Sequence, residues 1–283
     1  MQTSNIQRRV TVIAAIALVS TVPWPRPACA AQEPLWEFGL GVGALTFMDY
    51  RGADTAHAYP VPIPYFVYRG KFLQADRNGL KGRLFNQDRV ELSISLNATT
   101  PVRKNATRRG MPDLRPTVEI GPSLDLDVWR STDERVKLDL RLPVRAAFTI
   151  EASPRVIGWF FAPHVNIDIA NVGGQPGWNL GLLAGPLFAD DRYHDYFYSV
   201  APQYATAGRP AYQARGGYSG TQVLGSLTKR YPAYWVGAYV RHDTLSGAAF
   251  TASPLLKRDG YWSAGVAVAW IIRQSSRLVD AED

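Results

Sequence analysis

From Val136 to Ile150 apolar and polar residues alternate over an unusually long run, and this pattern constrains the fold more than any other feature of the chain. Val136, Leu138, Leu140, Leu142, Val144, Ala146, Phe148 and Ile150 fall on one face; Lys137, Asp139, Arg141, Pro143, Arg145, Ala147 and Thr149 fall on the other. Side chains alternate sides along a strand, so the segment reads as a β-strand with one apolar and one charged face. Strands of soluble domains run about 5–6 residues. A tilted strand crossing a bilayer needs about 9–11.

The dyad recurs. Val90, Leu92, Ile94 and Leu96 alternate with Glu91, Ser93, Ser95 and Asn97, and Val118, Ile120, Leu124, Leu126 and Val128 oppose Thr117, Glu119, Ser123, Asp125 and Asp127. Trp159, Phe161, Val165, Ile167 and Ile169 oppose His164, Asn166 and Asp168, and Trp262 to Ile272 repeats the pattern. A soluble sandwich hides its apolar faces, whereas a membrane barrel turns them to lipid and keeps charges in the lumen. The tryptophans favour the barrel. Trp36, Trp159, Trp178, Trp235 and Trp262 stand near strand starts and Trp129 and Trp270 near strand ends, as in two interfacial girdles. No segment after residue 30 approaches the roughly 20 apolar residues of a spanning helix. The predicted fold is all-β: a transmembrane antiparallel up-and-down β-barrel of about twelve strands.

The expected strands are 35–47, 62–75, 79–86, 89–98, 115–129, 135–150, 157–170, 177–189, 192–201, 217–229, 233–244 and 261–272. With both termini periplasmic, short links at 76–78, 190–191 and 230–232 face the periplasm, and long ones at 48–61, 202–216 and 245–260 face outside. One link resists. The stretch 99–114 is long and basic yet falls on the periplasmic side, so either the count is off by one within 62–98 or this loop is a periplasmic feature.

The first thirty residues stand apart. Arg8 and Arg9 precede an apolar run from Val10 to Val22, and Ala28-Cys29-Ala30 supplies a small-x-small cleavage pattern, the layout of a secretory signal peptide. Arg26 stands where a lipoprotein signal carries Leu. Twin-arginine export of a folded chain conflicts with a barrel that must reach its assembly machinery unfolded. We expect cleavage after Ala30, a barrel over 31–272 and a short polar tail over 273–283. Cys29 is the only cysteine, so the mature chain would hold no disulfide, thiol nucleophile or cysteine metal site. Losing Arg8, Arg9 and Arg26 lowers the formal charge from +7 to +4, too mild to argue for nucleic acid.

The second half of the chain resembles the MipA/OmpV family of outer-membrane proteins. The resemblance rests on Asp191-Arg192-Tyr193-His194-Asp195-Tyr196-Phe197-Tyr198-Ser199-Val200, then Arg209-Pro210-Ala211-Tyr212, Gly216 to Gly220, Val236 to Arg241 with Asp243, and Ser253-Pro254-Leu255. Pro62 to Gly70 and Thr117 to Pro122 fit the same pattern. Barrel chains usually end on an aromatic residue, whereas Arg273 to Asp283 follow here. The resemblance implies an outer-membrane location. It also implies one of two roles: a scaffold joining a lytic transglycosylase to a bifunctional penicillin-binding protein, or a porin-like or adhesive surface protein. It brings no catalytic residues and no cofactor.

The residues themselves offer little chemistry. His164 and Asp168 share the lumen face about 13 Å apart, too far for a dyad, and read as part of a polar network. His194-Asp195 and His242-Asp243 are sequence neighbours that point to opposite faces in a strand, and no serine near them lies in a recognisable nucleophile motif. Four histidines without ligand spacing give no metal site. Gly39, Gly41 and Gly43 form a small-residue face that lets the sheet curve. The expected lumen is mixed in sign: Glu119, Asp125, Asp127, Asp139 and Asp168 against Lys137, Arg141, Arg145 and His164. Such charges either pair and plug a narrow barrel or line an open pore and set its ion preference. The basic segment with Arg103, Lys104, Arg108 and Arg109 is the candidate partner loop if periplasmic; if external, it meets lipopolysaccharide.

Overall fold

The computed structural model describes residues 32–69, 73–76, 79–82 and 89–280. The expected signal segment and its cleavage site lie outside the described residues. Strand β1 (Gln32–Pro34) comes first, followed by β2 (Trp36–Met48), β3 (Ala56–Arg69), β4 (Leu73–Asp76), β5 (Gly79–Gly82), β6 (Val90–Thr99), β7 (Thr117–Arg130) and β8 (Val136–Thr149). Then come β9 (Val156–Phe161), β10 (His164–Ala170), β11 (Trp178–Ala189), helix α1 (Asp191–Tyr198), β12 (Gly217–Arg230), β13 (Tyr234–Thr244), β14 (Gly260–Gln274) and β15 (Leu278–Asp280). Strands β2 to β14 form one 13-stranded antiparallel sheet in which each pairs with the next, except β9 with β10, and β14 returns to β2. Both β9 and β10 lie between β8 and β11. They are one stave interrupted at Ala162-Pro163, which leaves twelve staves in the ring. The β14–β2 pairing closes the ring, the arrangement that lets a sheet span hydrocarbon.

Alternation sets inside from outside. Leu40, Val42, Val144, Val223, Val240 and Val266 stay exposed on the outer surface, an apolar belt that in water would be a liability and in lipid is solvated. The lumen side carries the buried polar residues Glu37, Glu119, Asp139, Arg145 and Asp168. At Gly39 and Gly41 the β14 backbone comes so close that an added Cβ would lie 2.1 Å from the carbonyl oxygens of Trp270 and Val268. The small-residue face therefore marks the seam where β2 and β14 close the ring.

Two strand assignments are corrected, and the errors cancel. The segment 192–201, expected as a strand, is helix α1 followed by extended chain. Its buried residues Tyr193, His194, Phe197 and Tyr198 repeat with a helical rather than a twofold period. In compensation, the region read as 62–75 and 79–86 holds three strands, β3, β4 and β5. Strand β3 begins at Ala56 despite Pro60, Pro62 and Pro64, which lie opposite Ala44, Val42 and Leu40 of β2. Alternate residues of an antiparallel strand aim their backbone groups at the same neighbour, so these prolines interrupt nothing on the β2 side.

The count survives but the sides change. Residues 100–116 lie at the same end as 49–55, 190–216 and 245–259, opposite the termini, so 99–114 is not on the terminal side. Residues 190–191 are the entrance to α1 at that far end rather than a short link. The terminal end carries 131–135, 171–177 and 231–233, and there β1 pairs with β15. The expected polar tail is thus partly strand. One tryptophan is also corrected: Trp235 is 4% exposed and packs with Tyr65, Val67 and Ala269 in the lumen. Its parity with Tyr239 and Arg241 turns it inward, over Gly237. The outward rings of Trp129 and Trp270 stand towards the terminal end, with Trp36 and Trp178 partly covered there, and those of Trp159 and Trp262 towards the other.

Candidate functional site: a capped lumen

Helix α1 sits in the mouth of the barrel, and local chemistry explains why it forms. The Asp190 carboxylate accepts a hydrogen bond from the backbone N–H of Tyr193, capping the first turn. At the other end Ser253 donates to the Tyr198 carbonyl at 2.6 Å, satisfying a terminal acceptor. Tyr198 stacks on Phe250 at 3.7 Å, and Phe250 contacts His194 edge-on at 4.7 Å. Tyr50, Val102, Leu114, Phe160, Phe197 and Leu245 join the same buried cluster, drawn from four loops and the wall. Family-motif residues Tyr193, His194, Tyr198 and Ser253 are therefore the substance of this cap, with Tyr196 bonded to the Arg115 backbone and Asp191 to Gly216. Arg192 is exposed, and Pro254 fixes the turn after Ser253.

Below the cap the lumen charges pair. Arg145 donates to Glu119 at 2.9 Å and to Ser95 at 3.1 Å, and Glu119 also accepts from Asn97 and, at 2.7 Å, from the Tyr193 hydroxyl of the cap. Burial, then the Glu119 carboxylate, holds the Tyr193 phenol well above its ordinary range. Asp139 contacts Lys137 at 3.1 Å and Arg141 at 3.4 Å; Asp168 accepts from Asn166 and lies 4.0 Å from Arg141. Asp125 accepts from Ser93 and Ser123, and Asp127 from Arg130. His164 bonds to the Ala162 carbonyl at 2.8 Å and makes no dyad with Asp168.

Several residues in this network carried no signal in the sequence. Arg51 reaches 168 residues along the chain to Ser219 and 192 to Asp243, which Arg241 also contacts at 2.7 Å. Glu37 pairs with Arg230 at 2.9 Å and accepts from Tyr65. Ser219 and His194 meet at 3.0 Å. The His194 Nδ1 faces the Arg215 carbonyl at 2.6 Å, so Nδ1 carries the proton and Nε2 accepts from Ser219. Both residues are fully buried and neither borders the lumen cavity, so the pair reads as a strut of the cap. Arg108 of the basic segment is buried and donates to the Phe197 carbonyl, while Arg103, Lys104 and Arg109 point to solvent. Among the described residues no cluster of His, Cys, Asp and Glu could hold a metal ion.

A cavity of about 250 Å³ remains between the cap and the paired charges. Arg51, Arg141, Arg145, Tyr193, Tyr198 and Asp243 border it.

A family model described as MltA-interacting protein MipA matches residues 40–272. Outer membrane protein Omp26La of Vibrio anguillarum is 26% identical over 213 residues, which is 72% of this chain and 76% of that protein. Outer membrane protein OmpV of Vibrio cholerae serotype O1 is 24% identical over the same shares of the two chains. Among solved structures, an outer membrane channel from Pseudomonas putida F1 is 12% identical, covers 87% of this chain and 99% of its own, and has a TM-score of 0.45.

Proposed function

Because the chain belongs to the MipA family and is an outer-membrane protein, we propose that it acts as a non-conducting scaffold for murein-synthesising and murein-degrading enzymes. The observation that carries this reading is the capped, charge-paired lumen: α1 and the loops pack across one end, and the lumen charges pair with one another. Opposed charges held in hydrogen-bonded pairs hydrate poorly and leave no continuous polar path for solutes. A barrel without a path serves as an anchor. The family model's description names MltA as an interacting protein, which supports a lytic transglycosylase as one partner and leaves a bifunctional penicillin-binding protein as the other. Enzymes that work on murein meet this protein from the periplasm, so the docking surface is the terminal end: turns 131–135, 171–177 and 231–233 with the β1–β15 pair. The segment 103–109 lies at the opposite end and drops out of this role.

The discriminating experiment is conductance of the purified full-length chain in planar bilayers. The scaffold reading expects rare, brief openings at most. Steady ohmic steps of a general porin would overturn it in favour of the channel reading.

A further inference from the structure

Strands β11, β12 and β13 turn an apolar arc outward. Leu182, Val223, Leu227 and Val240 stand exposed on it, while alternation keeps Asn179, Gln222, Arg230 and Arg241 on the lumen side. Among the described residues a single Lys, Arg, Asp or Glu breaks the arc. It is Lys229, which shares the parity of Val223 and Leu227 and lies opposite Trp178 of β11. A charge on a lipid-facing surface is costly and marks a site whose counter-charge has to be found.

The surroundings of Lys229 hold its charge in place without neutralising it. The stem runs past the turn 171–177, where a Cβ added at Gly177 would lie 3.8 Å from Lys229 Cε. The ammonium therefore reaches towards the terminal end, as snorkelling side chains do. There Nζ stands 5.4 Å from the centre of the Trp178 ring and 5.1 Å from that of Tyr231. Tyr231 stacks on Tyr234 at 4.5 Å, and Tyr234 lies opposite Trp270 of the girdle. Ring faces attract a cation, but among the described residues no carboxylate pairs with this one and no oxygen accepts from it. On the membrane side of Lys229 the arc is dented. Gly225 faces outward between Val223 and Leu227, opposite Leu182 and Val240. A Cβ built there would meet only Leu182 Cδ2, at 3.6 Å. The missing side chain leaves a shallow apolar groove that leads to the ammonium.

We propose that this arc holds one anionic phospholipid of the leaflet at the terminal end. Its phosphate sits on the Lys229 ammonium, its glycerol against the Trp178 and Tyr231 rings, and an acyl chain along the Gly225 groove. A lone cation favours a singly anionic head group over a zwitterionic one, whose own cation competes for the phosphate. The site faces lipid and does not rest on the scaffold role, so neither conductance nor enzyme capture bears on it.

The test is native mass spectrometry of the full-length protein in detergent micelles titrated with dioleoylphosphatidylglycerol or with dioleoylphosphatidylcholine. One phosphatidylglycerol saturates each barrel, with a preference of about fivefold over phosphatidylcholine. Lys229→Gln abolishes the preference and Lys229→Arg keeps it. Gly225→Leu fills the groove and weakens both lipids several-fold while leaving the preference intact. Arg135→Gln, which removes an exposed cation at the same end that already pairs with Asp133, leaves binding unchanged. Absent saturation, or equal retention of the two lipids, overturns the proposal. So does a preference that survives in Lys229→Gln, or one that Arg135→Gln lowers as much. Unchanged binding by Gly225→Leu overturns the placement of the acyl chain. Should a variant fail to fold, the comparison of the two lipids on the unaltered protein decides alone.

Discussion

Glu119 shows how much a single residue joins in this barrel. It is fully buried on β7 and holds Arg145 of β8, Asn97 of β6 and Tyr193 of the cap. Its place on the polar face with Arg145 was legible from alternation, because parity needs only local sequence. The contact from Tyr193 was not, since that residue lies 74 positions away in a segment whose helical period was taken for a twofold one. Replacing Glu119 with Ala leaves the Arg145 guanidinium buried without its carboxylate, which is expected to cost about 3–5 kcal/mol. Tyr193→Phe removes only one hydrogen bond to a charged acceptor and should cost about 1.5–3 kcal/mol. Urea unfolding in detergent micelles measures both. A Glu119→Ala loss no larger than that of Tyr193→Phe would mean that the ion pair adds little to the join.

At the scale of the element, α1 is the part of the fold that the sequence disguised. Asp190 and Asp191 before an aromatic run are ordinary helix-starting residues, yet Tyr193 to Val200 also satisfies a short strand of β-prone aromatics. Only the company of Phe250, Tyr50 and Ser253 selects the helix, and those residues come from other loops. The same company makes the cap sensitive to acid. Burial, and then the neighbouring Arg51 cation, hold His194 below its ordinary value of 6.5, against the pull of the Arg215 carbonyl. With the folded value depressed, the unfolded state binds the extra proton first. Stability is therefore unaffected by His194 above about pH 6.5 and falls as pH drops from there towards the folded value. The chain holds three other histidines, so the comparison is with His194→Asn. That variant should start less stable and show a shallower loss between neutral pH and the folded value, read as the rate at which trypsin cuts the loops. Parallel pH profiles for the two proteins would remove His194 as the sensitive group.

For the molecule as a whole, the inside–outside assignment of β6, β7, β8 and β14 followed from alternation, whereas the count of twelve matched only because two errors cancel, and the direction of the chain between β3 and β6 was not legible. Prolines at 60, 62 and 64 suppress the strand signal where β3 begins, and β4 and β5 are each four residues long, too short for a period to emerge. One unseen hairpin reverses the side of every loop until the next error, which α1 supplies. Residues 100–116 accordingly move to the capped end with the basic Arg103, Lys104 and Arg109 exposed there, away from the end proposed to dock murein enzymes. The chain carries Cys29 as its only cysteine, so single-cysteine labelling can test the assignment. Lys104→Cys at the capped end should react with a membrane-impermeant maleimide on intact cells. Glu134→Cys, in an exposed turn at the terminal end, should react only after the outer membrane is permeabilised. If the scaffold role holds, a photocrosslinker attached at position 134 captures a lytic transglycosylase and one attached at 104 does not. Labelling of Glu134→Cys on intact cells would invert the barrel and move the docking surface to the cap, whereas correct sidedness without capture from 134, 175 or 232 would remove the scaffold role and leave the orientation standing.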